Sequence, residues 1–188
     1  VLVDLGVSSM QFDSPARGFS YKSVGPLDMR LDPSSGETAA DLLARLDEEA
    51  LAALLVANAD EPHACLIAAL VTREHIVTTH ALARLVRVGL SGALPALSSA
   101  VVKASVRRTL QALRIAVNDE FTALDRLLDV LPACLAPGGC VAILTFHSGE
   151  DRRVKKAFQA GHRTGVYAEV AGEVIRSTEA EKEFAIAT

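Results

Sequence analysis

The stretch LAPGGCVAILTFHSGED, residues 135–151, decides how the rest of the chain is read. LAPGG ends a helix in a tight turn, CVAILTF is an unbroken apolar run, and HSGED returns to polar residues. An apolar run of that length between turn signals predicts a strand buried on both faces, the usual appearance of a parallel-sheet strand. Upstream, VRRTLQALRIAVNDEFTALDRLLDVL carries Leu110, Leu113, Val117, Phe121, Leu124, Leu128 and Leu131 at intervals of three or four, which predicts a long amphipathic helix. Downstream, RRVKKAFQA predicts a basic helix. Helix, turn, buried strand, polar loop and helix make up half of a doubly wound α/β domain, whose ligands bind beyond the carboxyl ends of the strands. VLVD, residues 1–4, reads as a second buried strand delivering Asp4 to that same edge.

Between these segments the chain changes character. From Gly6 to about Gly36 there is little periodicity, and Pro15, Gly18, Gly25, Pro26, Pro33 and Gly36 interrupt it. The stretch mixes apolar anchors with charges in RGFS and GPLDMRLD, so an ordered functional loop is expected. Four short helices follow. Thr38 and Asp41 have capping-box spacing, Asp47 can cap a second helix, Pro62 opens a third, and Thr78 or Thr79 starts a fourth. Gly89, Gly92 and Pro95 then break the pattern. These helices form a coherent all-α insertion.

Composition sets outer bounds. Half of the 188 residues are hydrophobic and only 4% aromatic, which favours a helix-rich globular chain over a β-sandwich. No apolar run approaches the ~18–20 residues of a membrane span and none reads as a signal peptide, so no membrane association is expected. Cys65, Cys134 and Cys140 have no CxxC spacing and read as buried small residues in a reducing compartment. A net charge of −4 argues mildly against a nucleic-acid partner. Local charge reverses that: KASVRRTLQALR and RRVKK are basic, while the acids gather in LDEEA, ADE and STEAEKE. An RNA partner is therefore permitted.

The two strand-end loops carry Asp4, Ser8, Ser9, Gln11, His147 and Ser148. Singly, each reads as a cap or an exposed polar residue; their convergence at the ligand-binding edge makes them a candidate site. GVSSM lacks the second glycine of a nucleophile elbow, and HSGED is not a zinc-binding HExxH. His63, His75, His80 and His162 have no ligand spacing, so no metal is expected. No glycine-rich phosphate loop is present.

DLGVSSMQFDSPARGFSYKSVGPLDMRLDP, RRTLQALRIAVNDE and LAPGGCVAILTFHSGEDRRVKKAF closely resemble the ribosomal small-subunit methyltransferase H (MraW) family. The resemblance implies methyl transfer from S-adenosylmethionine (SAM) to N4 of a cytidine in small-subunit rRNA. It implies an incomplete Rossmann-like class I SAM methyltransferase core over residues 1–12 and 105–188, with 13–104 as an inserted loop and helical subdomain. Asp4 and Gln11 fall on positions the family uses to hold SAM. Asp4, Ser8, Ser9 and His147 are the candidate catalytic residues, the first three as acceptors on the N4 protons. Arg17, Arg30, Lys103, Arg107, Arg108 and Arg114 are candidate RNA contacts. A second reading, given equal weight, has these arginines pairing with Asp28, Asp32, Asp119 or Glu120; Arg17 and Arg30 are favoured for RNA because they lie on loops.

The family's cofactor loop and its Arg-rich closing segment have no counterpart here, so a fragment of such an enzyme is expected. A non-catalytic RNA- or ribosome-binding remnant is the rival reading, and a related enzyme with another acceptor is a third. An apolar edge at Val1–Asp4 predicts aggregation or a homodimer. Bacterial cytoplasm and an organellar matrix or stroma both suit such a protein. Departures from the family pattern are Cys65 and Leu66 in DEPHACLIA, Gly149 in FHSGED, and Leu110 before QALRI.

Overall fold

The computed structural model describes residues 1–175; residues 176–188, with the STEAEKE acids and the end of the expected core segment, lie outside the described residues. Two short strands, β1 (Leu2–Asp4) and β2 (Ala142–Leu144), pair in parallel, with Leu2 opposite Ala142 and Asp4 opposite Leu144. Around them the described chain is mostly helical: α1 (Ser9–Phe12), α2 (Ala39–Arg45), α3 (Glu48–Ala59), α4 (Ala64–Val71), α5 (Thr79–Ala93), α6 (Ser99–Val117), α7 (Glu120–Cys134) and α8 (Ser148–Arg163). A 3₁₀ turn, Pro15–Arg17, interrupts the long loop.

Helix starts follow local chemistry. Thr38 and Asp41 form the expected capping box on α2, each side chain bonded to the other's backbone N–H. The Asp47 carboxylate accepts from Ala50 N–H at α3, and the Thr78 hydroxyl accepts from Ala81 N–H at α5. Each satisfies a donor that the helix itself leaves unpaired.

Helices α2 to α6 share the main core, built around Leu51, Leu55, Ile67, Leu82, Val86 and Leu113. Fully burying one such side chain contributes about 1.5–3 kcal/mol. The long loop joins this core through Phe19, Leu27 and Met29. Its backbone is stitched to the helices as well: Leu27 N–H donates to Val77 O, Ala40 N–H to Leu27 O, and Thr79 N–H to Gly25 O. Gly18 and Gly25 lie so close to the Pro26 and Pro15 carbonyls that a side chain at either would collide with backbone. Helix α6 is continuous through residues 104 and 105, and Val102, Val106 and Leu110 on it all enter the main core. A smaller cluster, Leu124, Leu128 and Val154, joins α7 to α8 and to Ile143 of β2.

Five expectations are corrected. Both strands were expected to be buried, yet Leu2 is 72% and Leu144 44% exposed. Among the described residues each has a neighbour on one side only, and only the Ile143 face meets helices. The long amphipathic segment is two helices, broken where Asn118 ends α6 and Asp119 takes a left-handed conformation (φ 48°). Gly89 and Gly92 lie inside α5, where the bare backbone at Gly89 admits Leu70 of α4. HSGED is no loop: α8 starts at Ser148 with His147 as its cap. Finally, Cys65, Cys134 and Cys140 are all exposed, the first on the outer face of α4 and the others near the ends of α7 and of the turn into β2.

Candidate functional site

The parallel pairing brings the carboxyl ends of β1 and β2 side by side, and Leu5 N–H extends the ladder by donating to Leu144 O. Beyond Asp4 the chain turns at Gly6, whose φ of 91° excludes most side chains. The Asp4 carboxylate is exposed and makes no hydrogen bond or ion pair among the described residues. Ser8 and Gln11 are committed to one another. The Ser8 hydroxyl accepts from Gln11 N–H, and Gln11 Oε1 accepts from the Ser8 N–H (3.1 Å) and hydroxyl (3.3 Å), a capping box on α1. Gln11 Nε2 stays free to donate, and Ser9 is exposed.

Next to this turn lies a cavity of about 540 Å³. Gly6 and Val7 form one side, Phe19 to Lys22 another, Arg107, Leu110 and Gln111 of α6 a third, and Phe146 and His147 the last. Among the described residues no carboxylate lines it, and of Asp4, Ser8, Ser9, Gln11 and His147 only His147 is in its wall. Of its cations, Arg114 is bound by both oxygens of Glu120 at 2.8 and 2.9 Å. Lys22 and Arg107 are exposed and unpaired among the described residues.

The β2–α8 turn is the most tightly held part of the site. His147 Nδ1 accepts from Glu150 N–H at 3.4 Å, capping α8. Its Nε2 stands 3.1 Å from Glu150 Oε1, an ion-pair distance without hydrogen-bond alignment. Glu150 Oε2 accepts from the Phe146 N–H at 2.8 Å, and the residue is only 5% exposed. Burial pushes the Glu150 carboxyl up, but His147, the Phe146 N–H and the Arg114 charge outweigh it and leave the group below its ordinary value. Phe121 packs beside His147, ring centres 5.9 Å apart, and Arg153 lies over its other neighbourhood at 4.1 Å from the ring centre.

Glu120, His147 and Glu150 bring three potential ligand atoms within 4.8 Å of one another, a grouping that no sequence spacing signals. Both carboxylates are already engaged, Glu120 by Arg114 and Glu150 by the Phe146 N–H and His147.

The candidate RNA residues divide. Arg30 is held by Asp28 through two contacts of 2.8 and 2.9 Å, and that hydrogen-bonded pairing holds the Asp28 carboxyl below the usual range. Arg17 donates to the Arg30 and Leu31 carbonyls. Arg108 stands 3.8 Å from the buried Glu61, and Arg114 takes Glu120. Pairing with Asp28 and Glu120 is thus realised, whereas Asp32 accepts from Ser34 and Ser35. Lys103 and Arg107 remain exposed on α6. Sequence reasoning missed Lys22, Phe146 and Glu150; only Glu150 carried a signal, three residues after the cap His147, where a capping box puts its acid.

Comparison with known proteins matches residues 1–188 to the MraW methylase family. A ribosomal RNA small subunit methyltransferase H 2 from Alkaliphilus metalliredigens is 50% identical over 185 residues, 95% of this chain and 53% of that protein. A methyltransferase H 1 from Agathobacter rectalis is 45% identical over 186 residues (96% and 53%), and a methyltransferase H from Halorhodospira halophila 46% over 170 (88% and 51%). The chain spans about half the length of the curated relatives it matches.

Proposed function

The chain belongs to the MraW methylase family, and from that membership we propose that it takes part in SAM-dependent methylation of cytidine N4 in small-subunit rRNA. Residues 1–12 and 105–188 contribute to a Rossmann-like class I core in this reading, and 13–104 form its inserted subdomain. The observation that carries it is the cavity at the paired strand ends, walled on one side by Gly6 and Val7 of the turn that follows an unengaged Asp4.

The residues suit the cofactor chemically. Asp4 offers a free acceptor and Gln11 Nε2 a free donor, complementary to the ammonium and carboxylate of an amino-acid moiety. When bound, SAM supplies an electrophilic methyl group on a sulfonium. Cytosine N4 is a poor nucleophile because its lone pair is delocalised into the ring. Acceptors on its N–H groups localise that pair and fix the direction of attack. Asp4, Ser9 and the main-chain carbonyls of the turn have acceptor capacity to give; the Ser8 hydroxyl would have to leave its cap. Of these acceptors only the Asp4 carboxylate is a base, so in this reading the proton that N4 loses passes to Asp4 and on to solvent. His147 has both ring nitrogens turned to Glu150 and so shapes the pocket wall.

A base must leave its stack to enter such a pocket, and about 540 Å³ lies within the ~300–1,000 Å³ typical of ligand sites. Lys22 and Arg107 in the cavity wall, and Lys103 exposed on α6, are the cations assigned to phosphates in this reading. The test is labelled-methyl transfer to small-subunit RNA with nucleoside analysis, beside calorimetric SAM titration of the protein and of Asp4→Asn. N4-methylcytidine, with SAM affinity at least about ten-fold weaker in Asp4→Asn, supports the reading. A different methylated nucleoside overturns the acceptor assignment, and RNA binding without transfer supports the non-catalytic alternative.

A further inference from the structure

Phe146 presents an unusual combination. Its side chain is 68% exposed at the cavity wall, yet its main chain is anchored by the N–H bond to Glu150. The ring rests near Gly6, where an added Cβ would meet Phe146 Cδ2 at 3.6 Å, an ordinary contact. The anchor is more than helix capping requires, because the His147 ring already accepts the Glu150 N–H. Burying a carboxylate is costly unless its charge is met. Here it is met by His147 Nε2 at 3.1 Å, by the α8 N-terminus in whose first turn Glu150 lies, and by the Arg114 charge beyond. What the second oxygen fixes is the Phe146 main chain. An aromatic ring on a fixed backbone loses little freedom on stacking, and stacking on such a ring is open to any base.

We propose that Glu150 is a positioning residue: its buried carboxylate holds Phe146 as a stacking platform for the base that enters the cavity. This rests on the RNA reading above. Phe146 then meets the face of the base.

The test uses the full-length protein with three variants, Glu150→Ala, Glu150→Gln and Phe146→Leu, read by methyl transfer and by hydrogen exchange at the Phe146 amide. Glu150→Ala should lose protection of that amide and raise KM for RNA about ten-fold, with KM for SAM unchanged. General loss of folded protein would lower kcat and leave both KM values alone. Glu150→Gln keeps an acceptor and should restore most of the protection and the RNA KM. Phe146→Leu should raise the RNA KM while its amide stays protected. Wild-type RNA kinetics in Glu150→Ala, or an amide protected equally without the carboxylate, overturns the proposal. If the wild-type protein transfers no methyl to RNA, the proposed function falls. The anchoring is then decided by exchange, and the platform by the affinity of wild type and Phe146→Leu for a short single-stranded RNA: equal affinities overturn it.

Discussion

At the residue scale, Gly149 shows how one missing side chain governs the site. A Cβ there would lie 2.6 Å from Phe121 Cζ and 3.2 Å from His147 Nδ1, the ring that caps α8. Alanine normally gains over glycine inside a helix, but crowding a packed aromatic costs about 1–3 kcal/mol and decides the sign. Gly149→Ala should therefore melt several degrees lower in a thermal scan. Glu150 adds a pH signature. Its folded value is depressed, so its stabilisation is complete above its ordinary value of 4.5 and is lost as pH falls through the depressed value. Melting of the wild type against Glu150→Gln should thus converge on acidification below about pH 4.5 and separate above it; parallel curves throughout would remove the argument.

At the scale of elements, the break between α6 and α7 rests on Asn118. Its Oδ1 accepts the Leu31 N–H at 2.7 Å, and its Nδ2 donates to the Met29 and Arg114 carbonyls, both at 2.8 Å. These bonds pin the long loop at Met29, a buried residue held at φ 64°. Asn118→Ala strands several of these groups and should cost about 2–3 kcal/mol in urea denaturation. The same residue marks the limit of what the sequence discloses. The caps at Thr38, Asp47 and Thr78 are legible because capping is settled within three residues. The Asn118 break is not, since two of its three partners, Leu31 and Met29, lie almost ninety positions away. Strand burial was misjudged for a related reason: CVAILTF states that it is apolar but not how many neighbours flank it. The convergence of the Asp4 and His147 loops was legible from the strand-end rule, while Lys22 and Phe146 have no local mark and enter the site only through folding.

Across the whole molecule, apolar burial is distributed unevenly. The α2–α6 core is extensive, whereas Leu124, Leu128 and Val154 make only a small cluster beneath the strands. The two parts are tied by the largely buried Arg114–Glu120 pair between α6 and α7 and by Arg152 of α8 on Asp60 after α3, an exposed pair worth little by itself. Hydrogen exchange should therefore show amides of α3, α5 and α6 outlasting those of β1 and β2 by an order of magnitude or more; uniform protection would contradict this division. The long loop belongs to the slow part despite its irregular backbone. Gly18 and Gly25 press against the Pro26 and Pro15 carbonyls with no space to yield. That wall of the cavity is a fixed jaw. Facing it, the Glu150 carboxylate holds the β2–α8 turn as firmly, so any extra room in the cavity has to come from side chains and not from the backbone on either side.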